Sequence, residues 1–365
     1  MHKVIGLMSG TSLDGIDAAL LETDGVRVGV SGAALTQPYG PELHDQLRAA
    51  IGCAAQLEDR APLPQLLVDV ERALTDAHAE AVQALLAQAD LKPEAIFLVG
   101  FHGQTVLHRP QQRWTLQLGD GARLARLTGI DVVDDFRTAD VRAGGQGAPL
   151  VPLYHAALVE AGEVALPVAV VNIGGVANVT WVGEDGLLAF DTGPGNAPLD
   201  DWALRHTGRS LDEDARLARA GRVHEAVVEE MLEHDFFARL PPKSLDRMDF
   251  GVRSVEHLDA ADGAATLTAF TAAAIARARE HFPQAARLWV VCGGGRHNPA
   301  LMAELRRRLE APVIAAEGLG WRGDFLEAEA FAFLAARAER GLSLSLPSTT
   351  GVPAPMSGGR LHRSR

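Results

Sequence analysis

Short apolar runs, each closed by glycine, recur along this chain and set its framework. Residues 4–7 and 18–21 read as two buried strands joined through MSGTSLDGID, residues 8–17. Short apolar runs bounded by turn residues suit strands rather than helices. Residues 168–173, an apolar run broken only by Asn172, and residues 176–182 repeat the arrangement across Gly174-Gly175. One such hairpin opens each half of the chain, which suggests an internal duplication. Further strands are expected at 95–99, at 130–133, just before Asp191 and at 287–291. Apolar residues at Leu67, Val70, Leu74, Ala77, Ala81 and Leu85 keep a three-four spacing and predict a helix over 66–86. Helices are also expected over 122–128, 211–220, 223–232, 299–309 and 325–337, with another N-capped by Asp262.

The glycine turns carry the candidate chemistry. In FDTGPGN, residues 190–196, the apolar run ends at Phe190 and Asp191 follows, beside two glycines around a proline. An acid at a strand end with no bulky neighbour suits a general base facing a bound molecule. An ordinary acidic turn uses the same residue types. In residues 8–17 the glycines and the Thr11 and Ser12 hydroxyls supply donors for phosphate oxygens. Asp14 and Asp17 are poor neighbours for phosphate unless a cation lies between, so one of them is expected to face a magnesium shell; a plain polar hairpin turn uses the same residue types. The 95–99 strand runs into GFHGQT, where His102, Gln104 and Thr105 offer hydrogen bonds to hydroxyls at a strand's carboxyl end. Arg137, in the irregular stretch 134–149, is a bidentate donor for a carboxylate. An ion pair with Asp134 or Asp135 is its competing use. A strand followed by Gly293-Gly294-Gly295 and a helix starting at Pro299 lets backbone approach a flat or anionic ligand.

Composition narrows the classes. With 365 residues the chain has room for two domains, and the pattern changes around 148–165. A net charge of −13 argues against nucleic acid as a partner. Two cysteines, Cys53 and Cys292, in no metal-ligand spacing make a reduced, cytoplasmic location the expectation. The first apolar run is too short for a signal peptide, and no apolar span is long enough for a membrane. His102 and His108, six apart on a loop-like segment, are a weak metal candidate. No GxxxxGK[ST] and no GxGxxG occurs, so a P-loop and a dinucleotide-binding domain lose support. Three glycine turns after strands fit a two-lobed actin-like sugar-kinase plan instead.

From one end of the chain to the other, nine stretches resemble the motifs of the anhydro-N-acetylmuramic acid kinases, a family of the actin/hexokinase/Hsp70-like superfamily. They are MSGTSLDGID (8–17), GFHGQT (100–105), LQLGD (116–120), DDFRTADVRAGGQGAPL (134–150), NIGGVANVT (172–180), FDTGPGN (190–196), CGGGRHN (292–298), EAEAFAFLA (327–335) and LPSTTG (346–351). Two departures stand out: Glu329, where the family more often has an apolar residue, and Gly320-Trp321-Arg322-Gly323.

The resemblance implies an α/β, two-lobed actin/hexokinase-like (duplicated ribonuclease H-like) fold with a central cleft. The first lobe would be 1–147 plus 336–365 and the second 148–335. It implies that ATP, water and 1,6-anhydro-N-acetylmuramic acid give N-acetylmuramic acid 6-phosphate and ADP, in peptidoglycan recycling, with magnesium and as a homodimer. Asp191 would take the proton from the attacking water. Gly10, Thr11, Ser12, Leu13, Asp14, Gly15, Ile16 and Asp17 would hold the β- and γ-phosphates, with Gly174, Gly175 and Asn178 opposite. Gly293, Gly294, Gly295 and Asn298 would face adenosine and the α-phosphate. His102, Gln104, Thr105, Arg137 and Glu327 would contact the sugar, Arg137 its lactyl carboxylate. The magnesium ligands are not assigned. A simple sugar kinase acting on an open hydroxyl without hydrolysis is the nearest alternative, and a nucleotide-gated filament or chaperone a more distant one.

Overall fold

Two β-sheets with the same strand order divide the chain. The structure is a computed structural model that describes residues 1–10, 13–58, 62–245 and 249–364. The first sheet contains β1 (His2–Ser9), β2 (Gly15–Thr23), β3 (Val28–Pro38), β4 (Leu98–Arg109), β5 (Trp114–Leu118) and β6 (Val132–Asp134). Its order is β6-β4-β1-β2-β3, with β5 on β4 and the C-terminal strand Arg360–His362 on β6. The second contains β7 (Val168–Ile173), β8 (Val176–Gly183), β9 (Gly186–Pro194), β10 (Leu288–Cys292) and β11 (Val313–Ala315), ordered β11-β10-β7-β8-β9. In each, a three-stranded antiparallel meander is extended by parallel strands from its first member. This is the duplicated α/β plan of the actin/hexokinase-like fold.

Residues Met1–Ala161 with Phe325–Arg365 form one compact unit, and Gly162–Asp324 the other. The boundaries fall at 161/162 and 324/325 rather than at the expected 147/148 and 335/336. The physical reason lies in the helix Leu326–Glu339, which packs on the first sheet. A Cβ added to Gly6 would lie 1.8 Å from the Ala328 carbonyl oxygen, and one on Gly100 would lie 2.1 Å from that of Phe331. Gly6 and Gly100 are register partners on β1 and β4, so two adjacent glycines make a flat bed for the helix. Glu329 from this helix accepts a hydrogen bond from the Tyr154 hydroxyl at 2.7 Å, and Tyr154 lies on the helix Pro152–Ala161. The other face of β1, Ile5 and Leu7, buries against Ala81, Val82 and Leu85 of the helix Gln65–Gln88, as the three-four spacing predicts. In the second unit Ala169, Val171, Ile173, Val179 and Phe190 pack with Ile275 of the helix Ala260–Arg277 and with Leu301 and Leu305 of the helix Pro299–Arg308.

Several local expectations change. The strand read at 95–99 is β4, which runs on through GFHGQT to Arg109, so His102, Gln104 and His108 are strand residues. β9 likewise continues past Asp191 to Pro194. The helix expected over 211–220 is a short 3-10 turn, Glu213–Ala215, then Arg216–Ala220. Asp214 and Ala215 adopt left-handed φ, and the Asp212 carboxylate accepts from the N–H groups of Leu217 and Ala218, which starts the helix late. The cap of Ala260–Arg277 is Asp259, which accepts from Ala261 and Asp262. Asp262 instead accepts from the Arg222 N–H and pairs with the His224 imidazole.

The glycine bed makes a test of this packing. Gly100→Ala is expected to destabilise the fold by about 2–3 kcal/mol, because backbone of the overlying helix must move. Gly52→Ala, inside the helix Pro41–Ala54 with nothing within 4 Å of the new methyl, is expected to stabilise by about 1 kcal/mol. Urea unfolding of the two variants checks the opposite signs.

Candidate active site

Alternation along β7, β8 and β9 puts Ala169, Val171, Ile173, Val179 and Phe190 in the core, so the intervening residues face the other way. Asn172 on β7 is opposite Asn178 on β8, and Asn178 is opposite Asp191 on β9. A polar row therefore crosses one face of the second sheet and ends in a carboxylate. A register shift between Ala177 and Asn178 sits beside it. Asp191 is only 8% exposed. Its N–H donates to the Lys243 carbonyl at 3.0 Å, and its Oδ2 accepts the Leu245 N–H at 2.8 Å. Burial pushes its carboxyl up to about 7, with the Leu245 N–H working in the opposite sense. A base of that strength near neutral pH is what proton abstraction requires.

The glycine turns of this unit meet. Gly174 and Gly175 carry the β7–β8 turn, and their carbonyls accept from the N–H groups of Asn196 (2.7 Å) and Gly195 (2.9 Å), just past Asp191. A Cβ on Gly195 would lie 2.2 Å from the Gly174 oxygen, so backbone crosses backbone there. Gly293 adopts φ +73° and lies against Asn172 and Ile173, which brings the β10 turn beside the β7 turn. Gly294 and Gly295 follow in a 3-10 turn. Asn298 caps the helix Pro299–Arg308, its Oδ1 accepting from Ala300 and Leu301.

Of the residues expected to contact the sugar, His102, Arg137 and Glu327 lie together in the first unit. Arg137 Nε donates to His102 Nε2 at 3.0 Å, and its NH1 donates to the Gly147 carbonyl at 2.7 Å. His102 Nε2 is therefore an acceptor, and Nδ1–H donates to the Gly103 carbonyl at 2.7 Å. Burial, reinforced by the Arg137 guanidinium, holds His102 neutral well below its ordinary range. His102 thus orients Arg137. The competing pair of Arg137 with Asp134 is not made; Asp134 pairs with Arg360 (3.2 Å) and His362 (3.0 Å). Asp140 fixes the glycine-rich loop from below, accepting from the Gly147 N–H at 2.7 Å, from Thr350 Oγ1 at 2.6 Å and from Ser345. Burial lowers Arg137 to about 10, which Glu327 and then Asp140 oppose. Glu327, in the first turn of its helix, is pushed up by burial and by Asp17, with Arg137 working against both.

Gln104 is fully buried, accepting from Ser9 Oγ and donating to the Gly10 carbonyl at 3.2 Å; Ser9 also bonds the Tyr39 hydroxyl at 2.5 Å. It thus braces the hairpin loop. Thr105 accepts from Gln117. Within the loop Thr11 and Ser12 lie outside the described residues. Leu13 is buried with left-handed φ, its N–H bonded to the Gly10 carbonyl at 3.2 Å. Asp14 is exposed, Gly15 opens β2 close to the Gln37 backbone, and Asp17 accepts from Thr36 Oγ1 at 2.6 Å. Ile16 is fully buried in the core, so any contact with a ligand would be made by its backbone. Among the described residues no three metal-ligating side chains form a cage. Magnesium takes oxygen ligands, the class to which Asp14, exposed, and Asp17, engaged by Thr36, belong. His102 and His108 do not converge on a metal: His102 is committed to Arg137, and His108 Nδ1 bonds Thr115.

Sequence reasoning passed over three contributors. Asn172 carried a signal, being the one polar residue in an apolar strand. Asp140, behind the Arg137 loop, carried none. The segment 241–245, distant in sequence from Asp191 yet bonded to it on both sides, looked only like a stiff loop.

A family model described as anhydro-N-acetylmuramic acid kinase matches residues 2–363. An anhydro-N-acetylmuramic acid kinase of Acidiphilium cryptum is 56% identical over 367 residues, covering 100% of this chain and 98% of that protein. One of Paramagnetospirillum magneticum is 54% identical over 362 residues, covering 98% and 99%. Among solved structures, component A of (R)-2-hydroxyglutaryl-CoA dehydratase from Acidaminococcus fermentans aligns over 92% of this chain and 98% of that chain, at 12% identity and a TM-score of 0.49. The chain belongs to the anhydro-N-acetylmuramic acid kinase family.

Proposed function

We propose that this protein, an ATP-dependent kinase of 1,6-anhydro-N-acetylmuramic acid, opens the anhydro bridge with water while it phosphorylates O6. The observation that carries the reading is the buried Asp191 carboxylate, raised to about 7 at the edge of a polar row and next to two glycine turns. Water adds to the anomeric carbon and gives its proton to Asp191. The C1–O6 bond breaks, and O6 takes the γ-phosphoryl group of ATP, giving N-acetylmuramic acid 6-phosphate and ADP. Phosphoryl transfer itself asks for positioning and charge neutralisation. The hairpin loop 10–17 and the turns at Gly174, Gly175, Asn178, Gly293, Gly294, Gly295 and Asn298 would hold the nucleotide through backbone and amide donors. Arg137, aimed by His102 and Gly147, would bind the sugar's lactyl carboxylate, with Thr105 and Glu327 reading its hydroxyls and Gln104, expected from the sequence to touch the sugar, bracing the hairpin loop instead. Magnesium, held near Asp14 and Asp17, would neutralise phosphate charge. A cytoplasmic site of action and a homodimer fit a recycling kinase; among the described residues no helix is long and apolar enough to cross a membrane.

Asp191→Asn is expected to lower kcat by at least about 10²-fold while the KM for ATP stays within a few-fold. Steady-state kinetics of that variant with near-normal turnover would remove Asp191 from the mechanism. In the wild type, kcat/KM for the sugar should fall tenfold per pH unit below about 7 and level off above it, since the base must be ionised.

The same carboxylate makes a stability prediction. Its folded pKa lies above the ordinary 3.8, so the stability it contributes is complete below that value and is lost as pH rises through about 7. Asp191→Asn does not suffer this loss. It should therefore gain about 2–3 kcal/mol more over wild type at pH 8 than at pH 5, visible as a larger melting-temperature increase at pH 8. Arg137→Lys should raise the sugar KM roughly 10–100-fold and leave that for ATP unchanged, because a point charge cannot replace the guanidinium fork.

A further inference from the structure

The segment 241–245 passes Asp191 so closely that it makes both hydrogen bonds described above: the Lys243 carbonyl takes the Asp191 N–H, and the Leu245 N–H reaches the carboxylate. The Lys243 side chain ties the segment to a neighbouring element. It is 8% exposed, although lysine is seldom buried. Its Nζ donates to the Phe236 carbonyl at 3.2 Å and lies 4.6 Å from the Phe236 ring centroid and 5.9 Å from that of Phe190, the neighbour of Asp191. Phe236 belongs to the short helix Asp235–Ala238, so the ammonium group ties the segment to that helix and to the end of β9. A methionine or leucine would fill the same space without desolvating a charge.

We propose that Lys243 is a positioning residue for the Asp191 base, its buried ammonium group anchoring the segment whose Leu245 N–H aims that carboxylate. This rests on the reading of Asp191 as the base. The cation acts through the backbone: its nitrogen is bonded to Phe236, and the backbone of the segment it holds is bonded to Asp191. The charged and titratable groups around Lys243 are Arg277 and Arg239, which with burial lower its amine to about 8, and Glu280, which opposes them; His281 lies beside them. From β8 the group facing Asp191 is the neutral Asn178. Losing the anchor frees the Leu245 N–H. A carboxylate that loses a donor to its charged form becomes a weaker acid and is less well aimed.

The test is the pH profile of the intact enzyme carrying Lys243→Met, with Lys243→Arg beside it. Lys243→Met should move the acid limb of kcat/KM upward by about one pH unit, which lowers kcat/KM at pH 7 about fivefold, recover most of it by pH 9 and leave the KM for ATP within twofold. Lys243→Arg, which keeps a donor for the Phe236 carbonyl, should keep the limb near its wild-type position. A loss of activity uniform across pH, or an unmoved limb, overturns the proposal even where Asp191→Asn is inactive. An active Asp191→Asn overturns the function reading instead. If Lys243→Met does not fold, Lys243→Gln carries the same readout, since its amide reaches less far than the ammonium, and an unmoved limb there counts equally against the proposal.

Discussion

Burying the Asp191 carboxylate is the constraint on which the active site depends. An ionised carboxylate at 8% exposure is costly, and among the described residues one N–H donor, from Leu245, offsets only part of that cost. The incomplete compensation is useful. Fuller hydrogen bonding would pull the carboxyl toward the ordinary acid range and make it too weak a base for water; none at all would leave it protonated at neutral pH. With Asp191 as the base proposed above, the site gives up stability for base strength, as functional sites commonly do.

The first unit shows the same logic applied to a cation. Arg137 is half-buried and meets two acceptors in place of a paired carboxylate: a neutral imidazole and a carbonyl. Asp134, one of the two acids weighed as a competing partner, is taken by Arg360 and His362. A guanidinium fixed in geometry by two neutral acceptors, with Glu327 and Asp140 acting on it through space, is suited to an anionic group of a ligand. The support extends outward to Asp140, which ties the loop to Ser345 and Thr350 near the C-terminus. That link accounts for the place of the LPSTTG motif, far along the chain from the loop it steadies.

Much of this was legible in the residues. Apolar runs bounded by glycine marked β1, β2, β7 and β8, and the three-four spacing marked the helix Gln65–Gln88, because burial on one face imposes those periods. The acid of FDTGPGN stood out through its small neighbours. Other features have no local signal. β3 is largely exposed and rich in small and polar residues, so it shows no apolar alternation. Asp262 looked like a cap because its side chain and place suit one; only the fold shows Asp259 in that role and Asp262 bonded to His224. His102 read as a ligand contact, and its partner Arg137 is 35 residues away. The segment 241–245 depends on Lys243 meeting Phe236 and Phe190 in space, which no spacing rule encodes.

The central claim is that water opens the anhydro bridge as phosphate is transferred. The most direct measurement is the product's mass after reaction with 1,6-anhydro-N-acetylmuramic acid and ATP in [18O]water, quenched early. The account predicts a product that has gained the elements of phosphate and of one water, with the heavy oxygen on the sugar and none in the phosphate. A product heavier by the phosphoryl group alone, or heavy oxygen appearing in phosphate, would contradict it.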